Sequence, residues 1–389
     1  MTKLKQEIVD ALKKLYPTRV GLHEPVFSGN ENAYVKECID TGWVSSVGKF
    51  VDRFETMIAE FTGVNKAVAC VNGTAALHIC LKLSGVQSGD EVLMPALTFV
   101  ATANAVHYSG AVPHFVDSEE NTLGVCALKL SEYLQQISEI KNGTCYNKKT
   151  GRKIAALVPV HIFGRPVDLD ALINVCEKFK IILIEDAAES LGSYYKGKHT
   201  GNFGKLAAIS FNGNKIITTG GGGMILTNDE ELAKRAKHIT TTAKVPHAWE
   251  YYHDEVAYNY RLPNLNAALG CAQMEQLPVF LERKRKLAQK YQKTFSEIDG
   301  VRYFGEQDFA KSNFWLNAII LDESQIRDER VSIRDDILKE TNAQSIMTRP
   351  IWVLMHRLPM YASCPRADLT CAESLEKRVI NIPSSVFLA

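Results

Sequence analysis

The sequence predicts an α/β protein: a mostly parallel central sheet sandwiched by helices, followed by a smaller C-terminal α/β domain. Two observations predict it. Between residues 66 and 227, short and nearly continuous apolar runs alternate with segments of helical periodicity. That is the pattern of parallel strands buried on both faces by the helices between them. After Pro263 the alternation gives way to one long helical stretch and then to a second, shorter strand-and-helix set. At 389 residues the chain also exceeds a single domain of about 150 residues. A large domain over residues 1–263, including the N-terminal helix, and a small one over 264–389 are expected.

The elements follow in order. Met1 to Tyr16 spaces Leu4, Ile8, Leu12 and Leu15 along one helical face and lacks the apolar block of a signal peptide. Strands are expected at Lys66 to Val71, Glu91 to Pro95 and Val112 to Val116, with helices at Thr74 to Leu83 and Thr98 to Ser109 between them. Lys153 to His161 reads as a long apolar strand, Asp168 to Lys178 as a helix and Ile181 to Glu185 as a strand. Lys196-Gly197 marks a tight hairpin turn. Strands recur at Ala207 to Phe211 and Gly223 to Thr227. Asn264 to Glu297 is helical throughout and broken only at Pro278, which would make a hinge between the lobes. A strand at Trp315 to Leu321 and a helix at Arg327 to Glu340 complete the second unit.

Composition excludes several classes. The 45 basic residues stand against 44 acidic ones, so no electrostatic case exists for nucleic acid or an anionic membrane surface as partner. Nine cysteines are scattered without a C-x-x-C pair, which suits buried thiols in a reducing compartment better than disulfides or a metal framework. No apolar run approaches the length of a membrane span. A cytoplasmic protein without a metal site is expected.

Four segments could carry chemistry. Ser210-Phe-Asn-Gly-Asn-Lys215 ends a strand and precedes Gly220 to Gly223. An amine there could form a Schiff base with an aldehyde cofactor, and the Ser210 hydroxyl could meet a phosphate. Alone, a lysine before glycines is more often a solvated side chain beside a flexible loop. Glu185-Asp186-Ala-Ala-Glu189 closes an apolar strand, at the edge where ligands bind in open α/β sheets. Asp186 could pair with a protonated ring nitrogen, and it equally suits a helix cap. Asn72-Gly73-Thr74 joins a strand to a helix whose positive end suits a phosphate, or is simply capped. Phe99, after the second strand, could stack on a ring or belong to the core. A near match to the phosphate-binding P-loop at Gly192 to His199 ends in His and reads as a hairpin. Together the four segments are the parts of a pyridoxal phosphate site. Gly73, Thr74 and Ser210 would hold the phosphate, Phe99 the ring, Asp186 its nitrogen and Lys215 its aldehyde.

These residues also carry a resemblance. Asn72 to His78, Thr98 to Asn104, Glu185 to Ser190, Ser210 to Lys215 and Tyr258 to Gly270 resemble, in that order, the sugar aminotransferases of the DegT/StrS group. The match runs from Gly42-Trp-Val-Ser-Ser to Asn381-Ile-Pro-Ser-Ser. It implies the aspartate-aminotransferase (type I) fold of pyridoxal-phosphate-dependent transferases, with Lys215 bound to the cofactor and Asp186 on its ring nitrogen. Glu189 would lie near the ring hydroxyl. Asn259 would reach the cofactor phosphate of a neighbouring subunit, so a homodimer with shared sites is implied. His161, Arg165, Arg349 and His356 are implied substrate contacts, although His161 reads as readily as a core residue. Thr41 to Glu55, Phe211 to Gly223 and Thr348 to Trp352 are most similar to LegC-type enzymes of the legionaminic acid and bacillosamine pathways. They imply L-glutamate as donor and a UDP-linked 2-acetamido-2,6-dideoxy-4-ketohexose as acceptor, aminated at C4. Relatives acting on dTDP- or GDP-linked ketosugars share most of these motifs. Sugar dehydratases of the same fold replace the lysine with His or add an iron–sulfur cysteine cluster, and a non-catalytic relative would have lost the lysine or the aspartate.

Overall fold

The computed structural model describes residues 3–325 and 332–389. Three helices come first, α1 (Lys3–Leu15), α2 (Glu31–Thr41) and α3 (Lys49–Thr62). The alternating region then begins with β1 (Lys66–Cys70), α4 (Gly73–Leu83), β2 (Glu91–Pro95), α5 (Val100–Tyr108) and β3 (Val112–Val116). After α6 (Ala127–Ile137), an antiparallel hairpin of β4 (Ser138–Lys141) and β5 (Thr144–Asn147) leads into β6 (Ile154–Leu157). Next come α7 (Leu169–Phe179) and β7 (Ile182–Asp186). A second hairpin, β8 (Tyr194–Tyr195) and β9 (Lys198–His199), turns at Lys196 and Gly197, both at positive φ (47° and 81°) as a type I′ turn requires. The first lobe closes with β10 (Leu206–Ser210), β11 (Gly223–Thr227) and α8 (Glu230–Thr240).

Seven of these strands form one sheet, in the order β1-β11-β10-β7-β6-β2-β3. The run from β10 to β3 is parallel, and β11 is antiparallel to both its neighbours. The β2 and β11 side chains are buried on both faces, the state their unbroken apolar runs require. The expected strand from Lys153 to His161 is shorter, because the continuous ladder covers Ile154–Leu157 and only an isolated bridge, Val160 to Asp186, follows it. Pro159 has no N–H to give, and by Phe163 and Gly164 the backbone has turned to positive φ.

The long helix α9 (Asn264–Phe295) runs unbroken through Pro278, where a hinge was expected. A proline inside a helix costs about 3 kcal/mol. Here Met274, Leu277 and Phe280 are buried around it, and the helix packs on α2 and α3. Burying such side chains is worth about 1.5–3 kcal/mol each, which exceeds the cost of the proline. Beyond α9 lies a four-stranded antiparallel sheet of β12 (Val301–Tyr303), β14 (Asn317–Leu321), β16 (Val379–Ile382) and β15 (Arg349–Pro350). A short strand, β13 (Ala310–Lys311), pairs instead with β8 of the first lobe. The helix expected from Arg327 is α10 (Ile333–Ala343), capped by the Ser332 hydroxyl on Asp335 N. The first residues of that expected helix lie outside the described residues. Helix α11 (Thr370–Arg378) precedes β16.

The N-terminal helix departs from its expected place. Leu4, Ile8 and Leu12 pack with Tyr291, Ile319 and Ile380, so α1 is buried against the second sheet. A 3.6-residue apolar stripe says that a face is buried, not against which lobe. All nine cysteines are free thiols, and among the described residues no helix is long and apolar enough to cross a membrane.

Candidate active site

The C-terminal ends of β2, β7 and β10, with the turns after β1 and β6, open on one cavity of about 300 Å3. Asn72, Gly73, Thr74, Phe99, Thr102, Asp186, Glu189, Ser210 and Lys215 all line it. Ligands in open α/β sheets bind at this edge because strand ends and helix starts leave unpaired backbone groups there.

The wall at α4 is built for an anion. Asn72 Oδ1 accepts from Ala75 N at 2.8 Å, and the first intrahelical bond is Ala76 N to Asn72 O. The N–H groups of Gly73 and Thr74 therefore precede the bonded turns and carry the positive end of the helix. A Cβ on Gly73 would stand 2.8 Å from Ser210 Cβ, so only glycine lets the helix start and the β10 end face the same space. On the other side β11 presses in. A Cβ on Gly223 would stand 2.4 Å from the Asn72 carbonyl carbon.

At the end of β7, Asp186 is buried but partnered. Its Oδ2 accepts from Thr102 Oγ1 at 2.7 Å, and its Oδ1 from Ala188 N at 3.2 Å. Burial pushes its carboxyl above the usual range, and the Thr102 bond opposes that rise. Glu189 lies one turn on. Its Oε2 accepts from Phe163 N at 2.9 Å and its Oε1 stands 3.2 Å from Lys215 Nζ. Burial raises the Glu189 carboxyl as well, with the Lys215 charge opposing. Lys215 Nζ also sits over the Trp315 ring, 3.8 Å from its centre. Aromatic contacts continue from Trp315 through Phe163 and Trp352 to Phe99.

A partly buried amine, a carboxyl held by two donors, an aromatic face and a glycine-opened anion cradle are the donor set that pyridoxal phosphate needs. The residues present fit that group. Sequence reasoning assigned no role to Thr102 or Trp315. Thr102 follows Thr98 by one helical turn and shares its face, a signal that was readable. Trp315 precedes a strand of the other lobe, and nothing local marks it.

Four expected substrate contacts lie outside this cavity. His161 is a core residue: its Nε2 lies 3.1 Å from Glu185 Oε2 and its Nδ1 accepts from Val167 N at 3.3 Å. Glu185 also accepts from the N–H groups of Gly201, Phe203 and Gly204, so the pair anchors the loop before β10. Arg165 is likewise internal. It donates to the carbonyls of Phe163, Leu316 and Phe304 between the Phe304 and Phe314 rings, with no guanidinium face left for a ligand. Both were expected against substrate; each is buried and lies off the lining of the cavity. Arg349 is exposed on β15 beside Asn342, and His356 contacts Glu373 at 3.3 Å. Asn259 also lies outside the cavity of its own chain, its Oδ1 accepting from Arg261 Nε at 2.9 Å.

Residues 26–389 match the model of the DegT/DnrJ/EryC1/StrS aminotransferase family. The chain belongs to that family. It is 36% identical over 365 residues to the GDP-perosamine synthase of Escherichia coli O157:H7, covering 94% of this chain and 93% of the relative. It is also 36% identical over 367 residues to the GDP-perosamine synthase of Caulobacter vibrioides, covering 94% and 93%. Among solved structures, the aminotransferase TlmJ from Streptoalloteichus hindustanus superposes with a TM-score of 0.83 at 27% identity, covering 94% of both chains. This member of the family is therefore a pyridoxal-phosphate-dependent sugar aminotransferase of the type I fold.

Proposed function

We propose that the protein moves an amino group from L-glutamate to C4 of a nucleotide-linked 4-keto-6-deoxy sugar destined for a bacterial surface glycan. The observation that carries this reading is the convergence of Lys215, Asp186 and the α4 N-terminus on one cavity. Pyridoxal phosphate supplies an electron-withdrawing ring and carries nitrogen from donor to acceptor. Lys215 would hold it through its Nζ. The N–H groups of Gly73 and Thr74 and the Ser210 hydroxyl would hold the phosphate, and Phe99 would lie against the ring. Asp186, fixed by Thr102 and Ala188 N, would keep a proton on the ring nitrogen. The free Lys215 Nζ would take the proton from the donor α-carbon and, on the return, deliver one to the sugar C4. Glu189, close to Lys215 Nζ, sets the charge against which that amine works.

The carrier has two readings. GDP stands in the names of three relatives at 36% identity, and supports a GDP-linked sugar as the first to test. The UDP-linked 2-acetamido-2,6-dideoxy-4-ketohexose is the second, supported by the motif from Thr41 to Glu55. The working unit in this reading is a homodimer in which Asn259 serves the partner's cofactor phosphate. Its place outside its own cavity supports this, as do the exposed Trp249, Tyr251, Tyr252 and Val256 in the same segment.

Visible absorbance tests the reaction. The yellow protein loaded with pyridoxal phosphate is expected to bleach with L-glutamate and to recover with a GDP- or UDP-linked 4-ketosugar. A protein that stays colourless when given the cofactor overturns the reading. Recovery with one carrier only assigns the nucleotide.

A further inference from the structure

Trp315 reaches Lys215 from the second lobe. It stands just before β14, and the centre of its ring lies 3.8 Å from Lys215 Nζ. The residue is buried and is not on the lining of the cofactor cavity, so it meets that site through the lysine.

Every polar atom of Trp315 is held. Its N donates to Asn313 Oδ1 at 2.8 Å, and its O accepts from Lys284 Nζ at 2.6 Å. Its Nε1 donates at 2.6 Å to the carbonyl of Asn214, the residue before the lysine. Asn313 Nδ2 donates in turn to Glu189 O at 2.8 Å and to Leu191 O at 2.9 Å. One asparagine thus sets the tryptophan against the stretch of chain that carries Glu189. Between them, Phe314 is at φ 50°, a left-handed conformation that bulky residues seldom adopt. Ser312 Oγ secures it, accepting from Phe314 N at 3.0 Å and donating to Gly164 O at 2.9 Å. Strain of this kind persists only where the surroundings over-determine it, and it gathers at sites that must be shaped. A tryptophan that merely fills a core needs no such turn to aim it.

Lys215 Nζ has two neighbours of opposite character, Glu189 Oε1 at 3.2 Å and the indole face. A carboxylate holds an amine by full charge and a directed hydrogen bond. A ring face attracts the protonated amine more weakly and without a fixed direction, so the amine can leave it readily. We propose that Trp315 is a positioning residue: its ring is the seat on which Lys215 Nζ rests whenever that amine is free of the cofactor. The seat keeps the amine from being drawn wholly onto Glu189 and returns it to one place, which orientation-dependent chemistry requires. The proposal rests on the role given to Lys215 above.

Two measurements on the full-length protein freed of cofactor test it. The first is the rate at which the yellow band grows on adding pyridoxal phosphate, a step that needs Lys215 Nζ in place. The second is the affinity for pyridoxamine phosphate by isothermal titration. That compound has no aldehyde and makes no bond to the lysine. Trp315→Leu is expected to slow the band about tenfold, the scale of a desolvated contact between a cation and a ring. Trp315→Phe keeps a ring face and is expected to slow it only about threefold. Both are expected to bind pyridoxamine phosphate as the parent does. Should Trp315→Leu not fold, Trp315→Met fills the same space without a ring. A parental rate in the non-aromatic variant overturns the proposal. So does Trp315→Phe as slow as that variant, which would give the effect to the Nε1 bond. Loss of pyridoxamine phosphate affinity in step with the rate also overturns it, leaving Trp315 as support for the fold alone. A parent that stays colourless with pyridoxal phosphate removes the role of Lys215 itself, and the seat with it.

Discussion

Thr102 Oγ1 donates to Asp186 Oδ2 across 2.7 Å, and the bond ties α5 to the end of β7 at the floor of the cavity. Asp186 is buried, so an unpartnered carboxylate there would titrate upward and lose its charge. The threonine bond opposes that rise and aims the carboxyl. Thr102→Val is expected to lower kcat/KM about 10- to 100-fold, from about 1.5–3 kcal/mol for a hydrogen bond to a charged group. Thr102→Ser should restore most of it. Steady-state kinetics of the three proteins at one pH check this, and a Thr102→Val protein with parental kcat/KM refutes it.

Lys215→Ala is expected to lose both the visible band and turnover, and Asp186→Asn to bind cofactor yet turn over far more slowly. Spectra and single-turnover kinetics separate the two effects. Normal turnover in either variant removes the role given to that residue.

Gly223→Ala tests the cradle. Its Cβ would meet the Asn72 backbone at 2.4 Å, and backbone cannot step aside as a side-chain tip can. Overpacking of this kind costs about 1–3 kcal/mol. A lower melting temperature and weaker cofactor retention on dialysis are expected together, because the displaced atoms belong to the cap of α4.

Stability should also respond to acid through a site far from the cavity. Glu91 at the start of β2 is fully buried, with His114 Nδ1 at 2.8 Å, Asn147 Nδ2 at 2.9 Å and Thr150 Oγ1 at 2.6 Å. Burial works to raise its carboxyl, but these hydrogen bonds together win and hold it below the usual range. A depressed folded value means stability that is full above the unfolded carboxylate value of about 4.3. It is lost as the pH falls through the folded value. Denaturation midpoints of parent and Glu91→Gln from pH 7 down to about 3 should converge at the acid end. A constant gap would refute the linkage.

That Lys215, Asp186, Gly73, Thr74, Ser210 and Phe99 gather on one cavity was legible because each closes or follows an apolar strand, and strand ends of a parallel sheet collect on one edge. His161 and Arg165 obey the same rule of position and mislead. Each follows β6 where the chain turns inward, so that His161 meets Glu185 and the terminal Arg165 nitrogens meet backbone carbonyls. Sequence gives a residue's address along the chain but not the direction of its side chain once the strand has ended. Trp315 was out of reach for a different reason. It meets the Lys215 loop only through contacts between distant parts of the chain. The Pro278 hinge failed because a helix-breaking propensity was weighed without the burial on either side of it.

That unbroken helix has a thermodynamic consequence. The first half of α9 supplies Ala267, Cys271, Met274 and Leu277 to the core under the seven-stranded sheet. The second half supplies Leu287, Tyr291 and Phe295 to the core under the smaller one. Neither core can melt without stripping one side of the rod on which the other is built. Heat or denaturant should therefore dissolve the two lobes in a single cooperative step, and isolating either one by cutting the chain at residue 263 or within α9 would leave a sheet with its floor removed.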